Sequence, residues 1–314
     1  MEQFWLKDRS RHGMTSALRK VAQERLLHGR ARKVLFRCMS DKAIVYLTHY
    51  LVHGHLPDFR HQPSFSERIA FRRLFPQPVF TILSDKVRVR EYVRRRIGEA
   101  YLIPIYAVTS DIENFAFENL PPAFVMKASH GSRWVEIVWS KAKVDVEQLR
   151  LKAAYWLKQN FYSQQRECHY QNIPPHIIFE TLLADGGKPP KDYKIHCFRS
   201  NQVLTQIIQV HSDRFTNHKM NFLTADWTPI NLSLGRPSVP NQELLPPQNL
   251  KDMLAVADNL SEGFNYVRVD LYSFAGQLYF GEMTFTPGAG LMPFDPVEKE
   301  YEWALLFEPD RSVF

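Results

Sequence analysis

Apolar and polar residues alternate with period two along YVRVDLYSFAGQLYFGEMTFTPGAG, residues 266–290. Val267, Val269 and Leu271 interleave with Arg268 and Asp270, the pattern of a half-buried strand. A turn is predicted at Ala275-Gly276, and the returning strand, Leu278 to Phe285, carries Glu282 and Thr284 at one parity. A turn of three or five residues would set Asp270 opposite Glu282 and Arg268 opposite Thr284.

The same patterning orders the rest of the chain. Residues 1–75 read as mostly helical. Leu18, Val21, Ala22 and Leu26 mark one helix, and a second, more buried one covers Ala43–Leu51 and ends at Gly54. Pro76–Phe80 reads as a connector. A helix then starts at Ser84-Asp85, with Asp85 as its cap, and Tyr101–Val108 reads as a short strand. Beyond Pro121-Pro122, FVMKAS, HGSRW and VEIVWS read as strand, flexible turn and strand. Val146, Leu149, Ala153, Trp156 and Leu157 predict an amphipathic helix over Asp145–Phe161. HIIFETLL reads as a buried strand ending at Glu180, followed by a turn at Gly186-Gly187 and Pro189-Pro190. A hairpin of Asp192–Phe198 and Val203–Val210 places Asp192, Lys194 and His196 on one face. A Pro-rich loop, Gly235–Pro247, leads to a helix over Leu250–Leu260. No internal repeat or low-complexity segment is visible.

A chain of 314 residues with 45% hydrophobic and 13% aromatic content has the length and composition of a globular protein of two or three subdomains. Its three cysteines, Cys38, Cys168 and Cys197, form neither a CxxC site nor a disulfide framework, which predicts a reducing, cytoplasmic setting. MEQFWLKDRSRHGM has no apolar signal-peptide core, and the run Ala43–Val52, broken by Thr48 and His49, is too short to span a bilayer. The charge is uneven. Residues 1–103 hold 21 Lys and Arg against 9 Asp and Glu, whereas the whole chain carries only +7. That basic third could meet an anionic membrane surface or an acidic polymer, or form an ordinary solvated face.

Directly opposed carboxylates, with Cβ atoms about 4.5–5.5 Å apart, repel unless a cation lies between them. Mg²⁺ suits Asp270 and Glu282, with Arg268 on the same face to hold a phosphate or oxyanion; an exposed Asp–Arg–Glu ion network is the alternative. Lys86 lies in a first helical turn, where anions are favoured. Lys127 sits in mid-strand before a Ser/Gly turn (Ser129, Gly131, Ser132) suited to covering phosphates. His49, His53 and His55 invite a metal reading, since an i,i+4 His pair shares a helix face, but no acidic partner or second motif accompanies them, so a structural or surface role is expected. The P-loop, GxGxxG, HExxH and GxSxG motifs are absent.

The order of Lys86, Lys127 with its SHGS turn, Glu180, Lys194, RVD (268–270) and GEMTFTPGAG (281–290) resembles the ATP-grasp superfamily. More closely, it resembles the TupA-like ATP-grasp family of bacterial surface-polysaccharide gene clusters. The matching stretches, SDKVRVREYVRRRIGEAYLIPIYAV, LPPAFVMKASHGS, DYKIHCF and residues 266–290, run in order from 84 to about 300. The resemblance implies an α/β (α+β) ATP-grasp fold of two subdomains clamping ATP, divided as a basic helical region 1–80, an N-terminal part 81–179 and a C-terminal part 180–314.

By the same resemblance, Lys86 and Lys127 contact the phosphates, and Ser129, His130, Gly131 and Ser132 form a lid. Glu180, Thr181, Leu182 and Leu183 line the adenine hinge. Lys194 faces the nucleotide, Asp270, Glu282 and Thr284 bind Mg²⁺, and Arg268 stabilises the transferring phosphoryl group. Thr284 stands where relatives usually carry Asn, and Arg133 and Trp134 follow a lid that is glycine-richer elsewhere in the superfamily. The implied activity is ATP-dependent carboxylate–amine ligation through an acyl phosphate, on a uronic acid or another acceptor of polysaccharide biosynthesis. A kinase of the same fold and a non-enzymatic polyanion or membrane binder are the alternatives. Nucleic acid is not an expected partner, and His211 and Arg214 are the candidates for acceptor contacts.

Overall fold

The alternation at 266–285 builds the centre of a six-stranded antiparallel sheet. In this computed structural model, which describes residues 31–184, 187, 189–212, 217–240 and 244–310, the order of that sheet is β10-β9-β5-β6-β7-β8. Its strands are β5 (Lys191–Ser200), β6 (Val203–Ser212), β7 (Lys219–Thr224), β8 (Pro229–Ile230), β9 (Tyr266–Phe274) and β10 (Gln277–Thr284). A second, four-stranded antiparallel sheet has the order β1-β4-β2-β3, from β1 (Ile105–Thr109), β2 (Phe124–Ala128), β3 (Val135–Val138) and β4 (Ile177–Glu180). The chain passes from the small sheet to the large one through residues 181–190.

The helices are α1 (Ala31–Cys38), α2 (Asp41–His53), α3 (Phe65–Leu74), α4 (Pro78–Ser84), α5 (Val89–Ile97), α6 (Val146–Leu157), α7 (Tyr162–Gln165), α8 (Leu250–Ser261) and α9 (Glu298–Leu305). The helix expected around Leu18, Val21, Ala22 and Leu26 lies outside the described residues, as do Gly186 and Arg214. The expected connector at Pro76–Phe80 is largely helix instead: Pro78 occupies the first turn of α4, where its missing N–H costs nothing. The Asp85 carboxylate accepts from Val87 and Arg88 N–H in the turn before α5, so the capping role holds while the helix itself begins three residues beyond Lys86.

Period two decides which face of each sheet meets a core. On β9, Val267, Val269 and Leu271 pack with Tyr193, Ile195 and Cys197 of β5 against α4, α5 and α8. Tyr266, on the opposite face, joins Phe198, Phe222, Phe65 of α3 and Trp303 of α9 in an aromatic cluster. Arg268 and Asp270 share the Tyr266 face. In the small sheet, Phe124, Met126, Ala128, Ile177 and Phe179 pack on α6, which leaves Lys127 and Glu180 on the face away from that helix.

The β9–β10 turn differs from the expected three or five residues. Phe274 pairs with Gln277, so the turn is the two residues Ala275 and Gly276, both at positive φ (50° and 78°). A bulge between Phe280 and Glu282 inserts the extra residue, Gly281, and restores the pairs Asp270↔Glu282 and Arg268↔Thr284. A Cβ on Gly281 would lie 3.0 Å from the Asp270 carbonyl oxygen and 3.1 Å from the Tyr272 ring. The close approach accounts for glycine there.

Candidate active site

Two cross-strand rows form the site's floor. Lys194 on β5 lies opposite Asp270 on β9, which lies opposite Glu282 on β10. One step along, His196, Arg268 and Thr284 align in the same way. The Arg268 guanidinium forks onto Asp270, with Nε to Oδ1 at 2.7 Å and an Nη2 to Oδ2 at 2.9 Å. The same nitrogen reaches Thr284 Oγ1 at 3.0 Å and Glu282 Oε1 at 3.3 Å. Lys194 Nζ bonds Asp270 Oδ2 and lies 2.9 Å from Asp192 Oδ2. Burial works against the Arg268 charge, but Asp270 and Glu282 outweigh it and hold the guanidinium above its ordinary pKa.

His196 is neutral beneath this row. Burial first, then the nearby Arg268, pushes it down to about 3. Its ring is fixed by Gln209 Oε1 at Nε2 and the Tyr266 hydroxyl at Nδ1, each at 2.9 Å.

The small sheet contributes the opposing group. Lys127 pairs with Ile178, so Glu180, two residues on, shares its face, and Lys127 Nζ meets Glu180 Oε1 at 2.6 Å. Lys86, before α5, bonds the Gly131 carbonyl through Nζ and the Ser129 carbonyl through its backbone N–H. Its pKa is lowered by desolvation first; Glu282 then acts to raise it, Lys127 to lower it, and Asp85 and Glu180 to raise it. Lys86 is therefore within electrostatic reach of Glu282 on the large sheet and of Lys127 and Glu180 on the small one.

The lid turn is arranged differently from a row of exposed hydroxyls. Ser129 is fully buried; its hydroxyl donates to the Pro174 carbonyl and accepts from His176 N–H. His130 is buried against Trp134 and bonds the Trp156 carbonyl at 3.0 Å, and burial lowers its pKa. Gly131 is buried, Ser132 half-buried. The Ser129 and His130 side chains thus hold the turn in place, leaving its backbone as the surface a ligand could approach. Thr181, Leu182 and Leu183 follow β4 on the connecting segment, with Thr181 tied to Pro104 and Tyr106. His211 sits across from Asp192 and contacts His218.

Sequence reasoning passed over three neighbours of this site. Asp192 was placed on the Lys194 face but given no role. Glu167 is fully buried and bonds the Thr286 hydroxyl; desolvation raises its pKa. Tyr170 is held well above its ordinary pKa by desolvation and by Glu167 and Glu282. Both lie in a polar connector without periodicity, and no motif marks them.

The floor's donors are all oxygen: Asp270, Glu282 and the Thr284 hydroxyl. That set fits a hard cation such as magnesium. The fit is uneven. Glu282 is one-third exposed and its contacts to Arg268 and Thr284 are long, at 3.3 Å, whereas both Asp270 oxygens are engaged by Arg268 and Lys194 at 2% side-chain exposure. Surface cavities of about 580 Å³ beside α6 and about 350 Å³ beside β5 lie apart from this cluster. Its charges instead close on one another.

Two antiparallel sheets packed on helices, each also carrying lysines and carboxylates, place the molecule among mixed α/β proteins. The chain belongs to the TupA-like ATP-grasp family, matched over residues 69–305. No curated protein matches it. Among solved structures it is similar to D-alanine–D-alanine ligase from Helicobacter pylori, at 16% identity and TM-score 0.43, over 72% of this chain and 62% of that one. It is similar to phosphoribosylamine–glycine ligase from Thermotoga maritima, at 12% identity and TM-score 0.43, over 76% and 62%. A third is D-alanine–D-alanine ligase from Bacillus anthracis complexed with ATP, at 15% identity and TM-score 0.37, over 66% and 55%. The chain spans about three-fifths of the length of these proteins, and at these TM-scores the likeness adds nothing to the family assignment.

Proposed function

We propose that this chain is an ATP- and Mg²⁺-dependent carboxylate–amine ligase. The supporting observations are the family match and the charged groups on the two sheets, Lys127 with Glu180 on the small one and Lys194, Arg268, Asp270 and Glu282 on the large one. Lysines and acidic oxygens brought together are what phosphoryl transfer uses, because its catalysis is chiefly positioning and charge neutralisation.

In this reading Lys86 and Lys127 hold phosphate oxygens, the backbone of Ser129–Ser132 covers them, and Glu180–Leu183 contact the base. Glu282, Thr284 and a shared Asp270 hold Mg²⁺, which when bound neutralises charge on the phosphates. Nucleotide entry exchanges the Arg268–Glu282 contact for contacts to ligand. Arg268 then steadies the transferring phosphoryl group from its fork on Asp270. Lys194, braced by Asp192 and Asp270, provides the second positive charge. An acceptor carboxylate oxygen takes the γ-phosphoryl group and ADP leaves; amine nitrogen attacks the acyl carbon and phosphate leaves, the nitrogen giving up its proton.

The acceptor in this reading is a uronic acid or other carboxylate of a surface polysaccharide or its precursor, the amine is an amino acid or small amine, and His211 is a candidate acceptor contact. Among the described residues no helix is long and apolar enough to cross a membrane. We place the protein in the cytoplasm, with its basic N-terminal third near anionic lipid or acidic polymer. That face is narrower than the charge count indicates: Arg68, Arg72 and Arg73 are buried, and Arg94, Arg95 and Arg96 pair with Glu91, Glu99 and Glu262.

Mass spectrometry of products formed from ATP, Mg²⁺, an amino-acid pool and uronic-acid acceptors tests this reading. ADP, phosphate and an amide are expected. A phosphorylated hydroxyl would assign a kinase instead, and polyanion binding without ATP turnover would leave a binding protein.

A further inference from the structure

We infer that the chain builds a second metal site, of the zinc class and separate from the carboxylate hairpin, from His49, His55 and Glu67. Sequence spacing gave the three histidines no acidic partner; the fold supplies one. Gly54 caps α2 in the left-handed conformation (φ 85°), and the chain reverses there, so that His55 returns over the last turn of the helix. The imidazole of His55 lies 5.1 Å from that of His49, centroid to centroid. Glu67, in the first turn of α3, closes the group. One ligand atom from each of His49, His55 and Glu67 lies within 4.8 Å of the other two.

Glu67 and His55 are oriented from behind, as metal ligands usually are. Glu67 Oε1 accepts the Asp58 N–H at 3.0 Å and Oε2 the Ser64 N–H at 3.1 Å, which fixes the carboxylate. His55 Nδ1 lies 3.1 Å from the Leu56 carbonyl and 3.8 Å from Glu67 Oε1, which fixes the ring beside the carboxylate. His49 and Glu67 are fully buried and His55 stands at the rim with 21% side-chain exposure, which gives an ion an entry. Two imidazoles and one carboxylate form a donor set typical of zinc; magnesium takes oxygen. Zinc–nitrogen and zinc–oxygen bonds of about 2.0–2.2 Å require the three donor atoms to draw in from their present spacing by small side-chain rotations.

The site joins α2 to the start of α3. The neighbouring His53, 4.4 Å from His49 ring to ring, bonds the Gly290 carbonyl at 2.8 Å, in the turn that follows the Glu282–Thr284 strand. Metal binding here would therefore brace the back of the proposed nucleotide site without entering it. The alternative is that no ion binds and the three side chains only pack at this turn.

The test uses the untagged full chain, freed of metal with chelator and titrated with Zn²⁺ against a chromophoric competitor in excess Mg²⁺. One Zn²⁺ per chain is expected, with affinity falling at least tenfold in His55→Ala and in Glu67→Gln and unchanged in His61→Ala, an exposed histidine. Zinc binding equal to wild type in both ligand variants, or no stoichiometric binding, would overturn the site and leave a packing cluster without metal. Co²⁺ added to the unaltered protein serves if a variant fails to fold. Intense visible d–d bands of four- or five-coordinate cobalt support the site, and the pale spectrum of hexa-aqua cobalt contradicts it.

Discussion

Replacing Gly281 by Ala perturbs the one backbone irregularity that brings the carboxylates together. The added methyl would sit 3.0 Å from the Asp270 carbonyl oxygen and 3.1 Å from Tyr272 Cε2. Tyr272 can swing aside, but the carbonyl belongs to the β9 ladder that also carries Arg268 and Asp270, so relief requires a shift of a few tenths of an ångström in the site itself. Overpacking of this kind costs about 1–3 kcal/mol. A misplacement approaching 1 Å costs on the order of 100-fold in rate, so a shift of this size should lower kcat/KM by about tenfold. Urea denaturation gives the first number and ADP release under saturating Mg²⁺ the second. Gly276→Asn is the control: it lies in the same hairpin's turn, has open space around it, and its φ of 78° is one that Asn tolerates. It should cost under about 1 kcal/mol and leave turnover unchanged. Gly281→Ala with wild-type turnover, or Gly276→Asn with an equal loss, would refute the claim that the bulge positions the site.

Three further outcomes follow from the charged core. Arg268→Met strips Asp270 of its fork and leaves a buried carboxylate facing only Lys194; stability should fall by about 3–5 kcal/mol, read by urea denaturation, and turnover should disappear. Arg72→Met, which breaks the buried bonds to Asp310, Asn265 and the Tyr266 carbonyl, should destabilise by a similar amount while leaving nucleotide affinity in the folded fraction intact, as equilibrium dialysis would show. His169 and His196 are both pushed down to about 3 by burial. The unfolded chain takes up these two protons as pH drops below about 6.5, whereas the folded chain resists until about 3, so stability declines across that window. The loss is about 2 kcal/mol per histidine at pH 5, and His196→Gln should flatten the pH dependence of the urea midpoint.

Alternation along β9 and β10 made the charged face legible, because side-chain parity depends only on strand period. The route to the Asp270–Glu282 pairing was less legible. A bulge leaves little trace in a periodic pattern, and Gly281 resembles any other strand glycine until its distance to Asp270 is known. Lys127 and Glu180 were readable as strand residues, but their ion pair depends on β2 lying beside β4, an adjacency that local patterning does not encode. The Ser/Gly turn at 129–132 is legible as a turn between strands, but the inward placement of the Ser129 and His130 side chains depends on contacts with 174–176 and α6, which local patterning does not encode. Glu67 escaped notice as a partner for the histidines because the chain must reverse at Gly54 before they meet, although Ser64 and Glu67 already show the spacing of a capping box.

The central claim is that the lysines of the small sheet and the carboxylates of the large one serve a single magnesium–nucleotide site. Calorimetric titration of ATP, with and without Mg²⁺, into the wild type, Lys127→Met and Glu282→Gln tests it most directly. The account predicts Mg²⁺-enhanced binding in the wild type, at least tenfold weaker binding in Lys127→Met under both conditions, and loss of the Mg²⁺ enhancement in Glu282→Gln. Wild-type affinity and Mg²⁺ dependence in both variants would contradict it.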